Sequence, residues 1–167
     1  MARERNIALL KKFNRQTSGR HQVFLSYSHK DRAWFDKIQL MLAPVEVFHG
    51  IKVWDDMEII PGDFWENAIR TALSQTRVAI CLVSNNFINS NYITTKELAY
   101  FMEEANKQNV RIFPIAISRI IDQEYPLKDI QYVNDPAQPL DELSDEKQHA
   151  VLSNMIQLLI EAMRRPE

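Results

Sequence analysis

Little in this chain could staple it, cradle a phosphate or anchor it in a bilayer. Its single cysteine, Cys81, rules out an internal disulfide. The surrounding run Arg77-Val-Ala-Ile-Cys-Leu-Val83 makes that thiol a small buried hydrophobe, at home in a reducing, cytoplasmic compartment. Glycine occurs only at 19, 50 and 62, so neither a Gly-x-Gly-x-x-Gly turn nor a Walker loop can form. No apolar run approaches the roughly 20 residues that cross a membrane. The net charge of −2 gives no bulk reason to expect nucleic acid. His21, His29, His49 and His149 show no ligand spacing with each other or with Cys81, which argues against zinc.

What is present is ordinary for a globular domain: 167 residues, 46% hydrophobic and 25% charged. We divide the chain into a basic extension over residues 1–20 and one domain over 21–165. The extension carries Arg3, Arg5, Lys11, Lys12, Arg15 and Arg20 against Glu4 alone. It reads as a solvated tail or partly helical arm, with nucleic-acid or membrane contact the lesser alternative. Its apolar stretch Ile7 to Leu10 is too short for a signal peptide.

Strand and helix patterns alternate along the domain. Gln22–Tyr27, Ile51–Trp54, Val78–Val83 and Val110–Ile117 are apolar enough for strands covered on both faces, and Pro114 places the last at an edge or a strand end. Helical spacing of apolar residues follows from Asp31 (Trp34, Ile38, Met41, Leu42), after an Asp63 N-cap (Ile69, Ala72, Leu73), from Thr95 (Leu98, Phe101, Met102, Ala105) and from Ser144 (Val151, Met155, Leu158). Between Ser118 and Leu143 the pattern fails, leaving room for a short edge strand, a short helix or a working loop. The expected architecture is α/β: a flavodoxin-like, doubly wound sheet of about five parallel strands, order 2-1-3-4-5, flanked by helices.

Such sheets bind ligands beyond the carboxyl ends of their strands. With strands one and three adjacent, Ser28 and His29 come near Ser84, Asn85 and the segment leading to Glu97, and Asp55 sits next door. Thr94-x-x-Glu97 has two readings: a capping box that satisfies orphan helix amides, or a carboxylate presented to that crevice. Ser28, Ser84 and Asp55 can contact a ligand or cap their own turns. Trp65 can wall a pocket or, spaced four from Ile69, fill the core.

Three segments resemble the boxes of a bacterial-type Toll/interleukin-1 receptor (TIR) domain. They are Phe24-Leu-Ser-Tyr-Ser-His-Lys-Asp31, Trp54-Asp-Asp-x-x-Ile59-x-Pro61-Gly62-x-x-Trp65, and Ser84-x-x-Phe87-x-x-Ser90-x-Tyr92-x-x-x-x-Glu97-Leu98. The resemblance spans roughly Gln22 to Arg164. It implies cleavage of the nicotinamide–ribose bond of NAD+, often in prokaryotic antiviral defence signalling, with Glu97 as the required glutamate. NAD+ would be a substrate, with no bound cofactor. The tryptophan common four residues before that glutamate is Ile93 here, with Tyr92 beside it, so either could meet the base. The resemblance also implies self-association into an oligomer or filament through the loop holding Ile59, Ile60, Pro61 and Gly62, and a C-terminal sensor domain or partner protein as trigger. The alternative is a non-catalytic module that makes TIR-to-TIR contacts only.

Overall fold

The computed structural model describes residues 8, 19–55, 64–90, 93–122 and 124–164, except the side chains of Trp65 and Thr95. Four parallel strands form its sheet: β1 (Gln22–Ser26), β2 (Lys52–Trp54), β3 (Thr76–Val83) and β4 (Arg111–Ala116), in the order β2-β1-β3-β4. The expected doubly wound order is thus observed, and β1 and β3 are neighbours, with Ser26 opposite Cys81. All eight residues of β3 are buried, as its unbroken apolar run requires of a central strand.

Alternating side chains divide the core between the sheet's two faces. Val23, Leu25, Ile80 and Ile115 pack with helix α1 (Arg32–His49) and the C-terminal helix, which is numbered α5 (Asp145–Met163). Phe24, Ala79, Cys81 and Val83 pack with α2 (Trp65–Gln75) and α4 (Leu98–Asn106). A one-residue slip in any strand would exchange these faces, so burial itself fixes the register. Phe24 sits between Trp54 and Phe101, at ring-centroid distances of 4.9 and 5.2 Å. A short helix absent from the sequence reading, α3 (Asn85–Asn89), follows β3.

Helix α1 runs seven residues beyond the expected Leu42, through Pro44, and stops where Gly50 takes the left-handed conformation at φ 62°. The start of α2 also differs from expectation. Its N-cap is Phe64, without a side-chain cap bond, and Asp63 lies outside the described residues. Ser144 caps α5 as read, accepting from the Lys147 amide.

Among the described residues no fifth strand joins β4, and Pro114 supplies the reason. The Ile117 amide bonds back to Val83, so the Ala116 and Pro114 nitrogens face the outer edge, where proline has no hydrogen to give. A full ladder cannot form there. Val133 donates to the Pro114 carbonyl instead, and the Asn134 amide accepts from Ala116 N at 2.8 Å and donates to Ala116 O at 3.0 Å. One side chain replaces a strand's pairing groups.

Candidate functional site

The carboxyl ends of β1 and β3 converge on Glu97. Residues Ile93–Glu97 form a π-helical turn that leads directly into α4. Thr94 donates its hydroxyl to the Ser90 carbonyl at 2.9 Å, and Glu97 makes no side-chain cap bond. Thr94 lies inside the π turn with its amide on the same Ser90 carbonyl, and the N-cap position of α4 falls on Glu97 itself. The Glu97 carboxylate turns to the sheet, where the Ser26 hydroxyl donates to its Oε2 at 2.7 Å, and the residue is 6% exposed. Cys81, beside Ser26 in the sheet, is fully buried; burial first, then the nearby Glu97 charge, pushes its thiol far above the usual range.

A second cluster closes the seam between the loops after β1 and β3. Ser28 caps a single 3-10 turn, His29–Asp31, by accepting weakly from the Lys30 amide. Asp31, which ends that turn, accepts from the Ser84 hydroxyl at 2.5 Å and from the Asn86 amide at 3.0 Å. Ser84 also accepts from the Phe87 amide, as the N-cap of α3. Asn85 holds the segment after β4 by bonding Arg119 O and Ile121 N.

The remaining candidates divide. His29 is exposed and lies 5.6 Å from the Tyr27 ring. Asp55, 4% exposed, follows β2. The Arg32 guanidinium is shifted upward chiefly by its hydrogen bond with Asp36, with smaller pulls from Tyr27 and Asp55. Ile93 is 5% exposed and packs in the core with Phe87, Leu98 and Phe101. Tyr92, Ile59, Ile60, Pro61, Gly62 and the Trp65 side chain lie outside the described residues.

Sequence reasoning left Ser26 and Asp31 off the site. Ser26 could have been found by parity, since it shares the buried face of Phe24, and a polar group there must find a partner. Asp31 gave no such signal, because its partners lie more than fifty residues away. A shallow cavity of about 460 Å³, lined by Gln22, Lys52, Trp54, Phe64, Asn67 and Thr71 among others, shares no residue with either cluster. No group of three or more metal-ligating side chains occurs among the described residues, nor is any described helix long and apolar enough to cross a membrane.

A sequence profile of the TIR domain matches residues 23–149, most of the chain. The chain belongs to the TIR domain family. This TIR domain is 30% identical over 95 residues to the protein y4lF of Sinorhizobium fredii; the match covers 57% of this chain and only 29% of that one. Its fold is similar to the crystal structure of the TIR domain of the Toll-related receptor TRR-2 from Hydra magnipapillata, with a TM-score of 0.56 and 20% identity, covering 83% of this chain and 96% of that one. It is also similar to the TIR domains of the activated Roq1 resistosome that recognises the effector XopQ, with a TM-score of 0.50 and 16% identity, over 87% of this chain and 86% of that one. At these identities the structural likenesses bear on the fold.

Proposed function

We propose that this TIR domain, of the bacterial type, is an NAD+ glycohydrolase in which Glu97 is the catalytic carboxylate. One observation carries the reading: the Glu97 carboxylate accepts from the Ser26 hydroxyl at 2.7 Å, at the carboxyl ends of the central strands. A π turn at that position fits, since such insertions concentrate at functional sites. The C1′–nitrogen bond breaks with its electron pair leaving on nicotinamide, and positive charge develops on the ribose. A carboxylate beside the sugar hydroxyls stabilises that charge. Water, or an adenine nitrogen in the cyclising form, then takes C1′ and loses a proton. Ser28, His29, Asp55, Trp65, Ser84 and one of Tyr92 and Ile93 surround the substrate in this reading. Association with other TIR domains through residues 59–62, triggered by a sensor domain or partner protein, switches it on in antiviral defence in the cytoplasm.

The competing function, a non-catalytic TIR-to-TIR contact module, draws support from the low exposure of Glu97. Measuring NAD+ loss and nicotinamide release from assembled protein separates the two. Turnover in the wild type that vanishes in Glu97→Gln supports the enzyme. Assembled protein that leaves NAD+ intact, or a Gln variant of equal activity, supports the contact module.

A further inference from the structure

Arg20, the last residue of the basic extension, is tied into the domain by four hydrogen bonds. Its Nη1 donates to the carbonyls of Leu73 and Thr76, both at 3.1 Å, and its Nη2 to Tyr100 Oη at 3.2 Å and Glu104 Oε2 at 2.8 Å. The ion pair is sheltered, with side-chain exposures of 18% and 11%. Asn109 and Lys107 hold the same carboxylate at 3.0 and 3.2 Å. Arg20 thus gathers the end of α2, the start of β3 and the far half of α4 on one planar fork.

Helix α4 is consequently tied at both ends to residues flanking β1: Glu104 to Arg20 before the strand, and Glu97 to Ser26 at its finish. The six extended steps from Arg20 to Ser26 span at most about 20 Å, while the seven helical steps from Glu97 to Glu104 span about 10.5 Å. The long side chains of Arg20 and Glu104 take up the difference. This restraint bears on the π turn, which carries one residue more than an α-helical ladder accepts. Were α4 free to slide and absorb that residue, the preceding turn would rotate by about 100° and Glu97 would swing off Ser26.

We propose that Arg20 is a positioning residue for Glu97: its clamp on α4 preserves the π turn and keeps the carboxylate against Ser26. The consequence for turnover rests on the glycohydrolase reading; the consequence for conformation does not.

Cys81, the only cysteine, lies fully buried on the face that α4 covers, so its modification reports α4 lifting. The full chain is compared with Arg20→Gln, Arg20→Lys and Leu152→Ala, the last a control that weakens the opposite face of the sheet. Labelling of Cys81 by 5,5′-dithiobis(2-nitrobenzoic acid) and amide hydrogen exchange across residues 93–98 are measured in native buffer. Losing a charged hydrogen-bond fork should accelerate both about tenfold in Arg20→Gln beyond the control, once each is corrected for its own melting midpoint. Arg20→Lys, which keeps the charge without the fork, should lie between. Glu104→Gln replaces Arg20→Gln if the latter does not fold. Rates no faster than in the stability-corrected control overturn the proposal. With an active wild type, kcat on NAD+ should fall severalfold at nearly constant KM, and an unchanged kcat also overturns it. A wild type that leaves NAD+ intact removes the glycohydrolase reading alone, because labelling and exchange still decide the clamp.

Discussion

Ser84 and Asp31 face each other across the seam between the β1 and β3 loops, and the Ser84 oxygen that donates to Asp31 also accepts the Phe87 amide. One hydroxyl closes a helix cap and a tertiary contact together. Ser84→Ala should therefore cost more than a cap alone, roughly 2 to 3 kcal/mol. A double-mutant cycle with Asp31→Ala, followed by urea denaturation, should return a coupling of about 0.5 to 3 kcal/mol. Simple additivity would show that the contact contributes nothing to folding.

Ser26→Ala removes one donor from a buried carboxylate. Stability should fall by about 1 to 3 kcal/mol in chemical denaturation. Ser26→Thr keeps the hydroxyl and should recover most of that stability, provided its extra methyl group fits beside Glu97. A neutral Ser26→Ala would contradict the 2.7 Å bond.

Asn134→Ala deprives both Ala116 backbone groups of their partner. At about 1 to 3 kcal/mol for each buried group left unmet, it should be among the most damaging single changes at this edge. Asn134→Asp keeps the acceptor but sets an oxygen against the Ala116 carbonyl, so it should restore little. Thermal melting of the two variants tests the order.

Hydrogen bonding from Asn109 above all, then the bond from Lys107 and the charges of Arg20 and Lys107, holds the Glu104 carboxyl below its ordinary range. The unfolded chain then binds the extra proton first, so stability rises with pH through the carboxylate range. It is fully present above the unfolded value and lost as pH falls through the folded one. Glu104→Gln should flatten that acid limb when melting midpoints are followed between about pH 3 and pH 6. An unchanged limb would show that Glu104 carries none of the acid sensitivity.

The strands and the three boxes were legible because their signals are local. An unbroken apolar run such as Val78 to Val83 has few folded destinations besides a covered strand, and Pro114 at an edge follows from a missing amide hydrogen. The site was legible only in outline. The Thr94-x-x-Glu97 spacing by itself favours a capping box, and only the strand and loop before it point to a crevice carboxylate.

The chain's own order of residues determined the fold class, the neighbouring of strands one and three, and the helix that bears Glu97, since burial periodicity and missing hydrogen-bond donors act over a few residues. Tertiary structure alone decided that Glu97 bonds Ser26, that Asp31 joins Ser84, and that Arg20 reaches Glu104, pairs separated by 71, 53 and 84 positions. A polar side chain on a buried face must find some partner, but which partner depends on where the packed sheet brings distant segments together.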